Sequence, residues 1–361
     1  MISSNEPGAR AESPRGERGP KNEHGMQQLC LDDRRAEGRV PRLSIVSTLY
    51  RSRSFLDEFV PECVQAAQAA GCGDSFEIVL VNDGSPDDSV AVALALQRSI
   101  PQLIVVDLSR NFGHHHALLA GLRHAQGERV FVIDCDLEVR PAVLPDFVRK
   151  LDQTRADLVF GYQEARKGGW FERVSGGLFW QFINKLSDVR LPENMLTERL
   201  MTRRFVDGLL QLGDHNLFLG GMMSWTGFLQ IGIPIQKTQR EGRATYTLMR
   251  RLQLMVTAVS SFSSKPLTWL FNAGMAVTAL SFVYMAYLLA RKVLFGDALL
   301  GFTSVMAFMA LSLGISTMAL GLIGIYLGKV YNQVQNRPPY IVKDIFFAPE
   351  LPGRHGLKES A

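Results

Sequence analysis

Arg129-Val-Phe-Val-Ile-Asp-Cys-Asp-Leu-Glu138 is an apolar run that stops abruptly at alternating carboxylates. The pattern predicts a buried strand over 130–134. Residues two apart on a strand face the same way, so Asp134 and Asp136 are expected to converge, with Cys135 on the opposite face. Taken alone, the stretch fits two readings. One is a strand-ending turn, because Asp favours turns. The other is a site for a hard divalent cation of the kind that also grips a diphosphate.

Outward from this stretch, between about residues 42 and 165, apolar runs alternate with helix-like segments, the signature of a largely parallel sheet in an α/β domain. Strands are predicted over 43–48, 76–81, 103–108 and 157–161 as well. A helix is predicted over 55–70, where Leu56, Phe59, Val60, Cys63 and Ala67 share one face. Asn82-Asp-Gly-Ser-Pro-Asp-Asp88 reads as a turn that also caps the following helix. Polar residues follow the carboxyl ends of the strands: Thr48, Asp83, Arg110 and Asn111, then Asp134 and Asp136. Open α/β sheets bind ligands along that edge. No Gly-x-Gly-x-x-Gly or Gly-x-x-x-x-Gly-Lys loop follows any of these strands, which argues against dinucleotide oxidoreductases and phosphate-loop NTPases. Asp83 has two readings, a hydrogen-bond acceptor for a ribose or base and a plain helix-capping turn.

The remainder of the 361 residues changes the class of protein. Residues 1–40 are rich in Gly, Pro, Glu and Arg without apolar clustering, so a disordered tail without a signal peptide is expected. Four scattered cysteines lack metal-ligand spacing and read as reduced thiols. A net charge of +4 is too modest for a nucleic-acid binder. Residues 267–290 and 298–328 contain no charged side chain, and each exceeds the roughly 20 residues that cross a bilayer. Arg250, Arg251 and Lys265 precede the first span, and Lys329, Arg337 and Lys343 follow the second. The connection between them holds only Arg291 and Lys292. The positive-inside rule then puts both termini in the cytoplasm.

Taken together, several ordered motifs resemble family 2 glycosyltransferases, and among them the membrane-anchored polyisoprenyl-phosphate glycosyltransferases similar to dolichyl-phosphate mannose synthase and its bacterial two-span relatives. The motifs are Val81-Asn-Asp-Gly-Ser85, Ser109-Arg-Asn-Phe-Gly-His114, Asp134-Cys-Asp-Leu-Glu138, Arg199-Leu-Met-Thr-Arg-Arg204, a strand pair around Trp225-Thr-Gly-Phe228, and Gly242-Arg-Ala-Thr-Tyr246. The resemblance covers roughly residues 42–345. It implies a nucleotide-diphosphosugar (GT-A, Rossmann-like) domain over 41–246, an interfacial amphipathic helix over 247–265, a transmembrane hairpin over 266–330 and a cytoplasmic tail over 331–361. The implied reaction is inverting, metal-dependent transfer of a sugar from a UDP- or GDP-linked donor to a polyprenyl phosphate, with undecaprenyl phosphate expected, at the cytoplasmic face of the inner membrane. In that reading Tyr50, Asp83, Arg110 and Asp134 bind the donor, and Asp134 and Asp136, joined by Glu138, hold Mg²⁺ or Mn²⁺. Arg199 and Arg243 meet the acceptor phosphate or donor diphosphate and count with the two aspartates as catalytic. Arg166 and Lys167 add charge for the acceptor phosphate.

Residues 247–264 place Leu248, Leu252, Met255, Val256, Val259 and Phe262 at helical spacing beside Arg250 and Arg251, the pattern of a helix lying in the membrane interface. The chain also departs from the family. After the first strand it reads Thr48-Leu-Tyr-Arg-Ser52, where the family has a Pro-x-Tyr-Asn-Glu-like run, and Thr197-Glu198 precedes Arg199. Glu198 is read either as an acidic partner or as a solvated charge, and Arg203 and Arg204 as helix-surface charges. His114-His-His116 is read as a helix start, because consecutive helical side chains diverge by about 100° and do not converge on one ion. Two other functions compete. A processive polysaccharide synthase is disfavoured because no tryptophan follows an arginine, and a catalytically silent scaffold is disfavoured by the retained acidic set. The identity of the sugar and a homo-oligomeric state are left open.

Overall fold

Runs rich in Val, Ile and Leu, too short for helices, form strands buried on both faces. These are β1 (Leu43–Leu49), β2 (Phe76–Asn82) and β3 (Leu103–Leu108). α1 (Arg53–Ala69) and α2 (Ser89–Gln97) connect them, and α3 (His114–His124) leads from β3 to β4 (Arg129–Val132). α4 (Leu144–Thr154), β5 (Leu158–Tyr162), β6 (Met195–Thr202), α5 (Arg203–Leu210), α6 (Leu219–Trp225) and β7 (Gln230–Pro234) complete the first part. Two long helices, α7 (Lys265–Phe295) and α8 (Phe302–Val334), precede β8 (Val342–Phe346). The computed structural model describes residues 40–163, 195–214, 217–236, 263, 265–295 and 301–348.

The sheet runs β7-β5-β6-β4-β1-β2-β3-β8. Alternate residues of each central strand enter different cores. Ile45, Ile78, Leu80, Val105 and Phe131 pack with α1 and α4 on one face. Val46, Val79, Val81, Val106 and Val132 pack with α3, α5 and α6 on the other. Helices therefore cover both faces of the sheet, and its strand ends are left as the open edge.

The sheet is mixed where the sequence reading expects a largely parallel one. β4, β1, β2 and β3 are parallel, but β6 inserts antiparallel between β4 and β5, and β8 pairs antiparallel with β3. Because β6 reverses, the carboxyl end of β5 points the same way as that of β4. The strand expected around Trp225 is instead the end of α6 followed by a turn, with β7 starting at Gln230. Residues 342–346, inside the expected tail, are an edge strand of the same sheet.

α7 and α8 contain apolar windows, Lys265–Tyr284 and Ser312–Val334, with mean hydropathies of 1.4 and 1.6. At 1.5 Å per residue, helices of 31 and 33 residues reach about 46–50 Å, longer than a bilayer core of about 30 Å. Their apolar side chains, including Phe282, Val283, Leu313 and Leu320, are exposed rather than packed on the sheet domain, as lipid-facing side chains are. The protein is membrane-associated. Hydrogen bonds tie α8 to other segments: the Tyr326 hydroxyl donates to the Ser263 carbonyl at 2.7 Å, and Gln333 Nε2 donates to the Gly213 carbonyl at 3.2 Å.

Candidate active site

The turn after β2 is held from two sides. Asp83 is buried and accepts the Phe112 amide at 2.7 Å through Oδ1 and the Gly113 amide at 3.0 Å through Oδ2. Burial pushes its carboxyl up, and these amides and the nearby His116 and His114 only partly offset that. Gly84 follows at φ +58°, and a Cβ there would lie 2.4 Å from the Asn111 nitrogen and 2.5 Å from the Arg110 carbonyl carbon. Only glycine lets the β2 turn and the loop after β3 approach so closely. That loop carries Arg110, whose guanidinium lies 4.4 Å from the centre of the Phe112 ring.

The turn after β1 is tied to the same structure. The Arg51 amide donates to Ser85 Oγ at 2.7 Å, and the Arg53 amide donates to Asp87 Oδ2 at 3.2 Å. Burial pushes the Asp87 carboxyl up, but hydrogen bonds from the Ser85 and Ser89 hydroxyls and the Arg53 and Ser89 amides outweigh it and hold the carboxyl down at about 2. Tyr50 is exposed beside this turn, with Arg51 over its ring. Tyr50, Asp83 and Arg110 thus stand on neighbouring strand ends.

β4 ends at Val132, two residues before the predicted limit, because its pairing with β6 stops at Val132 opposite Arg199. One further bond, from the Ile133 amide to the Val46 carbonyl, carries the chain to the edge. Asp134 and Asp136 therefore occupy a turn rather than one strand face. Asp136 Oδ1 accepts the Glu138 amide at 3.0 Å, and Leu137 between them is left-handed at φ +60°. Cys135 points inward, its thiol within 3.1 Å of Ser52 Oγ, and burial pushes it up to about 11, which makes it an inert packing residue. The two carboxylates on either side are partly exposed.

Among the described residues, no group of three or more His, Cys, Asp or Glu is arranged to hold a metal ion. Glu138 is thus not assembled with Asp134 and Asp136 into a three-carboxylate cage. Two partly exposed carboxylates at an open edge do fit Mg²⁺ or Mn²⁺, which bind through one or two carboxylates with water and phosphate oxygens completing the shell.

His114, expected only as part of a helix start, joins this site beside Thr48 and Asp134. His114 Nδ1 lies 3.0 Å from Thr48 Oγ1, and His114 Nε2 lies 3.8 Å from Asp134 Oδ1. His115 turns away to the Leu217 carbonyl, so the histidines do diverge. A sequence signal for His114 existed, since a helix beginning directly after the β3 loop must present its first side chain at the strand-end edge.

Arg199, in β6 opposite Val132, lies almost wholly buried. Its guanidinium donates to the carbonyls of Thr197 and Leu196, both at 2.8 Å, and contacts Met223 Sδ at 2.7 Å. Burial lowers it to about 10, and the charges of Glu198 and Asp134 oppose that fall. Glu198 is itself buried, so it is an acidic neighbour of Arg199 and not a solvated charge. A cavity of about 50 Å³ lies beside Arg199, lined by His114, His115, Thr197, Arg199 and apolar side chains of α3 and α6. Of the expected helix-surface arginines, Arg204 is exposed, but Arg203 is buried and donates to the Ala125 carbonyl at 2.7 Å. Arg166, Lys167, Arg243 and the amphipathic stretch up to residue 262 lie outside the described residues.

An acidic strand-edge site on a mixed α/β sheet, followed by two membrane-length helices, defines a membrane-associated enzyme of the GT-A-like class. The chain belongs to glycosyl transferase family 2, whose sequence pattern matches residues 44–208. It is 39% identical over 305 residues to a Mycobacterium tuberculosis protein carrying the glycosyltransferase name, covering 84% of this chain and 88% of that one. It is 33% identical over 269 residues to the SfII prophage-derived bactoprenol glucosyl transferase of Shigella flexneri, covering 74% of this chain and 87% of the relative. Among solved structures, the mannosyltransferase PcManGT from Pyrobaculum calidifontis in complex with GDP-Man and Mn²⁺ aligns at 18% identity and a TM-score of 0.43, over 87% of this chain and 95% of that one. This protein is a glycosyltransferase.

Proposed function

We propose that the enzyme transfers a sugar from a UDP- or GDP-linked donor to a polyprenyl phosphate, with undecaprenyl phosphate as the natural acceptor, at the cytoplasmic face of the cell membrane. The observation that carries the reading is the joint placement of Asp83, Asp134 and Arg199 on one sheet edge in a chain with two membrane-length helices. The bactoprenol glucosyl transferase name of several relatives supports the lipid acceptor.

In this reading Asp83 accepts hydrogen bonds from the nucleoside while its backbone partners keep it in place. Asp134 and Asp136 would hold Mg²⁺ or Mn²⁺ on the donor diphosphate, where such an ion neutralises charge on the leaving group. Arg199 supplies fixed positive potential behind Asp134, because its guanidinium is locked by two carbonyls and cannot swing out. An acceptor phosphate is already anionic near neutral pH, so positioning and electrostatic stabilisation are the main demands on the protein, and inversion at the anomeric carbon follows from a single displacement. Arg243, Arg166 and Lys167 remain candidates for the acceptor phosphate on the strength of the sequence pattern. Both termini and the catalytic domain belong on the cytoplasmic side by the distribution of basic residues.

The test is transfer of radiolabelled sugar from a panel of UDP- and GDP-sugars to undecaprenyl phosphate in detergent, with and without EDTA. Label in the organic phase that needs both the lipid phosphate and free divalent metal supports the proposal. Transfer to water alone, or to a growing polysaccharide, rejects it.

A further inference from the structure

The edge strand β8, which follows the second membrane-length helix, reaches the donor turn through a chain of polar side chains. Its pairing with β3 is irregular: Asp107 pairs with Asp344 and Leu108 pairs with Val342, so Lys343 is the extra residue of a bulge. Bulges re-aim side chains, and here Lys343 Nζ lies 3.2 Å from Asp107 Oδ2. The largely buried Asp107 carboxylate accepts Asn82 Nδ2 at 2.7 Å through its other oxygen. Asn82 Oδ1 then accepts the Ser85 amide at 3.1 Å, closing the turn that contains Asp83 and Gly84. Each group uses the only polarity available to it in that direction. With its NH₂ committed to Asp107, the Asn82 amide can present only its oxygen to Ser85.

We infer that Lys343, Asp107 and Asn82 are positioning residues that set the donor turn, so that a strand delivered by the membrane hairpin tunes nucleotide affinity. This rests on the reading of Asp83 as a donor contact. Lys343 is separable from the attachment of β8 itself. Main-chain pairing holds the strand, and Gln97 Nε2 donates to both the Leu103 and Phe346 carbonyls, at 2.7 and 2.9 Å.

The experiment titrates UDP and GDP, each with Mn²⁺, into the full-length protein in detergent, and records melting temperatures and the KM for undecaprenyl phosphate. The variants are Asp83→Ala, Asn82→Ala, Lys343→Met, Lys343→Arg and the Asn82→Ala/Lys343→Met pair. Lys343→Met is expected to weaken nucleotide binding about three- to tenfold, the range of coupled neighbours, while the melting temperature and acceptor KM stay at the wild-type values. Lys343→Arg restores affinity, and the double variant binds no worse than Asn82→Ala alone because both interrupt one chain. If Asn82→Ala does not fold, the Lys343 pair of variants decides alone. Wild-type affinity in Lys343→Met, beside lost affinity in Asp83→Ala, overturns the inference and leaves the donor reading standing. Wild-type affinity in Asp83→Ala overturns both. A loss in Lys343→Met matched by a lower melting temperature and a higher acceptor KM marks general structural damage and also overturns it.

Discussion

Asp83 Oδ1 accepts the Phe112 amide at 2.7 Å, so one buried carboxylate joins the turn after β2 to the loop after β3. Burial raises this carboxyl, meaning that the folded protein holds its proton more tightly than the unfolded chain does. Its ionised form therefore costs stability, fully above the folded pKa and not at all below the unfolded one. Asp83→Asn removes that cost at pH 7 but keeps one carbonyl acceptor for the loop amides. Its melting temperature should lie within about 3 °C of wild type, while nucleotide binding falls about tenfold or more through the lost charged acceptor. Unchanged nucleotide affinity in calorimetry would remove Asp83 from the donor site.

Asp136 has a local role as well, since its Oδ1 accepts the Glu138 amide. Asp136→Asn preserves that acceptor and removes the charge. Sugar transfer should drop about 100-fold or more with folding intact, the scale of losing a preorganised electrostatic contact. Transfer at the wild-type rate with the same metal dependence would sink the metal assignment.

Gly84→Ala tests the close approach of the two loops. The new Cβ would meet backbone atoms of Asn111 and Arg110, which cannot rotate away, and φ +58° adds strain for any non-glycine residue. Gly213 makes the control, because it too is left-handed, at φ +62°, but its Cβ would meet nothing nearer than 4.0 Å. Melting curves should show Gly213→Ala losing about 1 kcal/mol and Gly84→Ala about 2–4 kcal/mol, with reduced nucleotide binding in the second alone.

The central strands and α1 were legible because each is written in purely local terms, as an apolar run or an apolar face at helical spacing. β6 was not legible as a strand. Glu198 and Arg199 interrupt its apolar pattern, yet both are buried there, Arg199 with two carbonyls for its guanidinium. β8 is five residues long, with Lys343 and Asp344 at its centre, and its pairing partner lies more than two hundred residues earlier. At the site, the acidic residues announced themselves by position after apolar strands. The place of His114 at that edge was legible from the helix start, but its contacts were not, since Thr48 and Asp134 come from two other strand ends.

Asp87 gives a pH signature opposite to that of Asp83. Its carboxyl is held at about 2 in the folded protein, below the ordinary value of 3.8, so its stabilisation is present above the unfolded value and lost as pH falls toward 2. Part of that carboxylate is exposed, and solvent screening reduces the contribution to about 1 kcal/mol. Asp87→Asn should melt below wild type at pH 7, and the gap should close between pH 4 and pH 2. A gap independent of pH would show that the Ser85 and Ser89 hydroxyls bond equally well to a neutral group.

On the proposed function, Arg199 would couple folding to catalysis. Its guanidinium spans the Leu196 and Thr197 carbonyls, a fork that a lysine ammonium cannot reproduce from one point. Arg199→Lys leaves at least one buried carbonyl underserved and should cost about 1–3 kcal/mol in the melting transition. Arg199→Met costs more, because the nearby charges of Glu198 and Asp134 then lose their buried cation. The positive potential behind Asp134 also disappears, so binding of Mn²⁺ with UDP or GDP should change with it. Removal of the cation favours the metal at the carboxylate but leaves the diphosphate without a fixed positive neighbour. Metal affinity measured without nucleotide should therefore hold or rise in Arg199→Met, while transfer rate falls about 100-fold. A folded Arg199→Met protein with wild-type transfer would reduce Arg199 to a packing residue of β6.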